Sequence, residues 1–339
     1  MASGRTHTPR RALITGLSGQ DGSFLGELLL ELGYEVTGLV RSPELGWARH
    51  LEGRVALVHG DLLDAASLES AIIRVQPDEL YHLAAPSFVP DSWRDPAGTM
   101  AAIAGATGAL LAAVRDHAPR ARVCVAGSGA MFGDTTSCPQ REDSPCRPRH
   151  PYGTAKLAVH QLVGQLRVHE GLFACSAILY NHESERRAES FVSRKLSRAA
   201  AAIALGLADH VELGDVRSVR DWSFAGDVVR GMWQMLQQER PDDYILASGR
   251  GRTVAELAEA AFGAVGLPPR EYLRVDAQGL VRPAEDPPPV GDPGRAHERL
   301  GWRAEMGFET LIERMVEADL RDLGVKARGR ARSAWPGGR

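Results

Sequence analysis

Cysteine is scarce and unpatterned. The four present, Cys124, Cys138, Cys146 and Cys175, include no C-x-x-C pair, which speaks for reduced thiols and a cytoplasmic location rather than disulfides. No metal site is expected. A surplus of charge is also missing: a formal net charge of −3 over 339 residues argues against a nucleic-acid or polybasic membrane partner. No apolar run is read as approaching the ~20 residues that span a bilayer. Residues 1–10 are polar, lack the apolar stretch of a signal peptide and read as a flexible N-terminus. Residues 326–339 are basic, contain Gly and Pro, and read as a disordered tail.

What the chain does have is a strong opening. Ala12-Leu13-Ile14-Thr15 reads as a buried strand that runs into Gly16, Gly19 and Gly22, three glycines spaced three apart. Phe24, Leu25, Leu28, Leu29 and Leu32 then mark the apolar face of a helix. Strand, tight turn and helix in this order form a dinucleotide-binding pattern. The first glycine makes the turn, the second lets the backbone approach a pyrophosphate, and the third lets helix pack on strand. Phosphates would sit at the helix N-terminus. Ser18, Gln20 and Asp21, inside the turn, are counted with the cofactor site.

The rest of the first half repeats strand and helix. Glu35-Val36-Thr37-Gly38-Leu39-Val40 is a second strand ending at Arg41 and Ser42. An acid at this point would hold the ribose 2′-hydroxyl of NAD, whereas an arginine accommodates the 2′-phosphate of NADP, so Arg41 points to NADP. A third strand ends at Asp61 and Leu62. Asp61 either accepts from the adenine amino group or caps the helix over residues 65–75. A fourth strand ends in Leu83, Ala84 and Ala85, small enough at the end for close passage of the cofactor. A long Ala- and Gly-rich helix is expected over residues 97–117. A fifth strand then leads to Gly127-Ser128-Gly129-Ala130. This alternation predicts an α/β fold, a doubly wound parallel sheet of the Rossmann type. Residues 11–180, with part of 215–248 returning, would form the cofactor domain, and 181–325 mainly a smaller α/β substrate lobe.

Tyr152 and Lys156 lie four apart and share a helix face. A nearby ammonium favours phenolate and is expected to lower the tyrosine pKa from about 10. That would give a general acid/base near neutral pH. Ser128, at a strand's C-terminal end, could bond the same substrate hydroxyl. Ser128, Tyr152 and Lys156 are the candidate catalytic set.

Taken together, these motifs resemble the extended short-chain dehydrogenase/reductases, and within them the GDP-mannose 4,6-dehydratase family. The likeness covers about residues 12–320. Its carriers are Thr15-Gly16-Leu17-Ser18-Gly19-Gln20-Asp21-Gly22, Pro151-Tyr152-Gly153-Thr154-Ala155-Lys156, Tyr180-Asn181-His182-Glu183-Ser184-Glu185-Arg186-Arg187, Arg220-Asp221-Trp222 and Arg282-Pro283-Ala284-Glu285. The resemblance implies NADP and a GDP-linked hexose. Tyr152, Lys156, Asn181 and His182 would also meet the cofactor. Ser87, Asn181, Arg186, Lys195, Arg220, Arg282 and Glu285 would line the nucleotide-sugar site. Arginine suits a diphosphate because it donates in bidentate fashion. For part of this set the alternative is structural ion pairing, Arg220 with Asp221 and Arg282 with Glu285.

The chain also departs from the family. Similar dehydratases carry Thr-Ser-Glu where Ser128-Gly129-Ala130 stands, so Ala130 replaces the glutamate that takes the C5 proton. Pro86-Ser87-Phe88-Val89 replaces a more polar Gln-Ser-His-Val. Three readings follow. The favoured one is hydride transfer at C4 of a GDP-hexose, as a 4-epimerase or 4-keto reductase. The second is a 4,6-dehydratase, complete or stopping at an unsaturated sugar, whose base has moved to Cys124, His82, Glu142 or His182. The third is a cofactor-binding partner protein without turnover. A short loop after Arg41 points to a homodimer, joined through the Tyr152 helix and the helix over 97–117, rather than a tetramer.

Overall fold

The computed structural model describes residues 9–275 and 287–333, with side chains through Val325. Arg282 and Glu285, and residues 1–8 of the expected N-terminal segment, lie outside the described residues.

The first half alternates as expected: β1 (Arg11–Thr15), α1 (Gln20–Glu31), β2 (Glu35–Val40), β3 (Ala56–His59), α2 (Ala65–Val75), β4 (Glu79–His82), α3 (Asp91–Arg94), α4 (Pro96–Met100), α5 (Ala106–His117), β5 (Arg122–Ala126), α6 (Pro151–His169) and β6 (Ala174–Leu179). There follow β7 (Asn181–Glu183), α7 (Val192–Ala204), β8 (Val211–Leu213), β9 (Val219–Phe224), α8 (Ala225–Leu236), β10 (Tyr244–Leu246), β11 (Gly251–Thr253), α9 (Val254–Gly263), α10 (Pro269–Tyr272), β12 (Leu273–Val275), α11 (Gly294–Leu300) and α12 (Phe308–Ser333).

Seven strands form one parallel sheet in the order β10-β6-β5-β4-β1-β2-β3. The winding direction reverses between β1 and β4. Ligands of such sheets bind beyond the C-terminal strand ends at that reversal. Side chains of β1 alternate between two cores, because successive residues of a strand face opposite sides. Ala12 and Ile14 pack with Leu25 and Leu29 of α1 and with Val228, Met232 and Met235 of α8. Leu13 packs with Ile72 of α2, Leu110 and Val114 of α5, and Val159 and Val163 of α6. One face of the sheet and its β10 edge are thus completed by chain that comes after β7.

The later segments build smaller sheets, β11-β9-β7 and β12-β8. Helices α7, α9 and α12 pack around them through Leu196, Leu257, Phe262, Leu311 and Met315.

Four expectations change. The alternatives for Asp61 resolve on the capping side against it: α2 is capped by Asp64, whose carboxylate accepts from Ala66 N (3.1 Å) and Ser67 N (3.3 Å). Asp61 instead accepts from Leu63 N at 2.9 Å. The long helix runs Pro96–His117, with a wider π-type turn over Ala101–Gly105. Contrary to the reading of no long apolar run, its Ala-rich composition makes it long and apolar enough to cross a bilayer. It is packed as a core helix, with Ile103, Leu110, Leu111 and Val114 buried against α2 and α6. Finally, α12 continues through Ser333, so residues 326–333 are helical where a disordered tail was expected.

Candidate active site

The glycine turn has the shape that a dinucleotide needs. Gly16 has φ +78°, a conformation that costs an L side chain but not glycine, and a Cβ there would lie 3.0 Å from Ala84 N. At Gly22 a Cβ would lie 2.2 Å from Gly16 O and 2.6 Å from Leu17 Cα, so helix and turn could not close. No side chain caps the start of α1, which leaves its first-turn amides directed at a ligand. Thr15 Oγ1 accepts from the N–H groups of Leu83 and Ala84, both at 3.1 Å, and ties the end of β4 to the same turn. Trp47 N donates to Ser18 O at 3.1 Å and folds the segment after β2 over the turn. Arg41 is exposed at the end of β2, and Asp61 and Leu62 follow β3. The residues present therefore fit a nicotinamide dinucleotide.

The catalytic candidates converge next to this turn. Pro151 opens α6, and His150 caps it by accepting from Gly153 N at 3.0 Å. A Cβ on Gly153 would lie 2.6 Å from Ala130 O, so the segment after β5 rests directly on the first turn of α6. This contact brings Ser128 beside Tyr152, close enough for its hydroxyl to favour the phenolate. Ser128 Oγ also accepts from Ala130 N at 3.2 Å. Lys156 is buried, donates to Ala126 O at 2.7 Å and lies 5.8 Å from the centre of the Tyr152 ring.

The expected depression of the Tyr152 pKa is not found. Burial pushes Tyr152 above its ordinary value, the Ser128 hydroxyl and Arg187 pull it down, and Asp21 pushes it up. Lys156 is not among the groups that shift Tyr152, and burial lowers its own pKa to about 8.

Gln20, Asp21 and His182 are joined to one another. Asp21 Oδ2 meets His182 Nε2 at 2.9 Å, and His182 Nδ1 faces Tyr180 O at 2.7 Å. Gln20 Nε2 donates to Asp21 Oδ1 (3.0 Å) and to His182 O (3.1 Å), and Ser184 Oγ donates to Gln20 Oε1 at 2.8 Å. Asn181 precedes this brace on β7.

The arginines divide differently from expectation. Arg186 is held on α1: its guanidinium lies 3.8 Å from the Phe24 ring centre, donates to Ser23 Oγ at 2.9 Å and pairs with Glu27 at 2.7 Å. Arg187, which the sequence reading passed over, is the one whose charge reaches Tyr152 and Asp21. It stacks on Phe191 at 3.5 Å, and Phe191 meets Phe88 edge to face at 5.8 Å. Arg220 donates to Val219 O at 2.5 Å. Asp221, the partner in the alternative reading, receives Ser248 N (2.8 Å), Gly249 N (3.0 Å) and Gly291 N (3.3 Å). Lys195 and Ser87 are exposed.

None of the four proposed substitute bases is free. Thr15 Oγ1 already accepts two N–H groups, so its own proton goes to His82 Nδ1 at 2.8 Å. His82 Nε2 then donates to Thr107 Oγ1 at 3.1 Å, which itself donates to Ile103 O. Burial, helped by the charge of Lys156, holds His82 at about 3, so it stays neutral. Cys124 is fully buried within β5, and burial pushes its thiol up. Glu142 accepts from Ile245 N at 3.0 Å and faces Arg295. His182 is held by Asp21 and Tyr180.

A sequence model of the family described as "GDP-mannose 4,6 dehydratase" matches residues 13–315. The protein "GDP-mannose 4,6 dehydratase 2" of Arabidopsis thaliana is 45% identical over 328 residues, covering 92% of this chain and 87% of that protein. The "GDP-mannose 4,6-dehydratase" of Yersinia enterocolitica is 39% identical over 352 residues, covering 92% and 94%. Among solved structures, RMD from Pseudomonas aeruginosa complexed with NADPH superposes with a TM-score of 0.79 at 26% identity, covering 92% of this chain and 99% of that one.

Proposed function

This chain belongs to the GDP-mannose 4,6-dehydratase family, and from that premise we propose that it moves a hydride at C4 of a GDP-linked hexose with NADP, as a 4-epimerase or 4-keto reductase. One observation carries the reading. Ser128, Tyr152 and Lys156 meet beside a dinucleotide turn, with Ala130 in the same segment and no other acid or base among the four considered free to act.

Hydride acceptance and return is the chemistry that NADP supplies when bound. Tyr152 Oη takes the proton of the C4 hydroxyl as C4 is oxidised and gives it back on reduction. Ser128 Oγ holds the same oxygen. Arg187 supplies the positive charge that favours the phenolate, against the burial that disfavours it, and Lys156 would hold the nicotinamide ribose. Arg41, with Ser42, would meet the 2′-phosphate. Gly16, Ser18, Gly19, Gly22, Asp61, Leu62, Leu83, Ala84, Ala85 and Asn181 would line the rest of the cofactor. Ser87, Asn181, Lys195 and Arg220, with Arg282 and Glu285, would take the nucleotide sugar between the cofactor half and the later lobe. The working form is a cytoplasmic homodimer joined through α6 and the Pro96–His117 helix.

A second reading, the 4,6-dehydratase, is favoured by the 45% identity to the Arabidopsis protein. Elimination of water across C5 and C6 needs a group to take the C5 proton, and a positioned acid/base contributes ~10²–10⁴-fold. Incubation with GDP-mannose in deuterated water separates the two. Inversion at C4 without deuterium at C5, or stoichiometric NADPH oxidation with a 4-keto GDP-sugar, is the expected result. Deuterium at C5 together with a 4-keto-6-deoxy product would establish the dehydratase. Tight NADP binding with no turnover of any GDP-sugar would leave a cofactor-binding partner protein.

A further inference from the structure

Asp21 is the second residue of α1, at the uncapped helix start where the cofactor diphosphate is read to lie. A carboxylate there competes with phosphate for the same dipole and repels it. The hydrogen bonding of His182 explains how it is tolerated. His182 Nε2 faces the Asp21 carboxylate at 2.9 Å, and Nδ1 faces the Tyr180 carbonyl at 2.7 Å. Both partners are acceptors only. A neutral imidazole has a single N–H and satisfies one of them; the imidazolium satisfies both. The pair is almost closed to water, with side-chain exposures of 11% for His182 and 20% for Asp21.

We propose that His182 is a resident counter-ion: it neutralises Asp21, so that an acid can stand beside the phosphate-binding turn, and it locks that turn onto β7. Asp21 and His182 are then positioning residues, acting on the cofactor through charge and geometry. The inference rests on the dinucleotide reading of the turn.

The charges facing the pair are Arg187 from the segment after β7 and Lys156 and Tyr152 from α6. Burial alone would push Asp21 up, but His182 and the Gln20 hydrogen bond hold it at about 2. Burial alone would push His182 down, but Asp21 raises it above its ordinary value in spite of Arg187. Asp21 is therefore ionised at neutral pH, and the two acceptors facing its ring favour the imidazolium form of His182. Loss of the imidazolium proton, by alkali or by mutation, leaves a bare carboxylate beside the phosphates and beside Tyr152, whose ionisation Asp21 already opposes.

The test is NADP binding to the full chain, followed by calorimetry across pH 6–9. His182→Gln should weaken NADP about tenfold at neutral pH, the scale of one uncompensated charge in a partly buried setting. Adding Asp21→Asn to His182→Gln removes that charge and should bring affinity back to within about threefold of the parent. The parent's affinity should fall as pH rises through the His182 titration, a limb the double variant lacks, keeping only the fall near 8 that Lys156 gives. A double variant that binds as poorly as His182→Gln would overturn the proposal, because damaged packing is not repaired by a second substitution. So would a His182→Gln protein that binds like the parent. Should His182→Gln alone not fold, the charge-neutral double variant still decides through its affinity and its missing limb. A parent protein that does not bind NADP at all would instead overturn the cofactor reading.

Discussion

Lys156 holds its ammonium out of water on a single carbonyl, that of Ala126. Burial lowers its pKa to about 8, against an ordinary value near 10.4. In the unfolded chain the amine keeps its proton across that interval, so stability in the absence of cofactor should rise with pH from about 8 towards about 10 as this cost is relieved. Lys156→Met should accordingly lose hydride transfer, by ~10²–10⁴-fold, yet melt no lower than the parent at pH 7 when both are free of cofactor. Thermal melts followed by circular dichroism check this; a drop of several degrees would refute it. At this scale the sequence was most readable where spacing sets chemistry. Tyr152 and Lys156 share a helix face at any register, and Ser128 follows a strand end. Arg186 and Arg187 were not separable, because neighbouring residues in an irregular segment turn opposite ways and nothing in a pair of arginines says which one turns inward. The direction of the Tyr152 pKa was misjudged for a related reason: burial is set by the surrounding fold, and two residues on one helix do not reveal it.

Elements tell a similar story about arginine. Arg194 on α7, which by type could serve a diphosphate, is buried against α12, where Asp319 accepts from Arg194 (2.6 Å), Ser197 (2.8 Å) and Arg198 (3.3 Å). Asp319 is fully buried. Removing one partner strands the other charge in a dry place, at about 3–5 kcal/mol. Asp319→Ala should lower unfolding free energy by about that amount in urea titrations, and a loss under 1 kcal/mol would contradict the packing described. Strand and helix existence in the first half was legible from periodicity. Caps were less so: Asp61 and Asp64 are the same residue type three apart, and the choice between them depends on where the backbone turns. The widened turn at Ala101–Gly105 has no residue signature that the sequence could have offered.

Over the whole molecule, the parallel sheet followed from alternation, because the inner strands are buried on both faces and each helix on one. The later lobe could not be laid out the same way. Its strands β7, β8, β11 and β12 have three residues each, too short for periodicity to register, and β8 pairs with β12 across a long stretch of chain. The proposed assembly is tested at this scale. Static light scattering should return a mass near twice 36.6 kDa, and a value near four times that figure would contradict a dimer.

Helix α8 and strand β10 come from within the stretch of chain that builds the second lobe, yet they cover and extend the first sheet. A ribosome making this protein therefore exposes an oily, half-finished surface until residue 246 has left the exit tunnel. The nucleotide-binding half cannot be cut loose at Tyr180 as a self-sufficient module. Evolution could not have shuffled it as one either, since the two lobes are threaded through each other and stand or fall together.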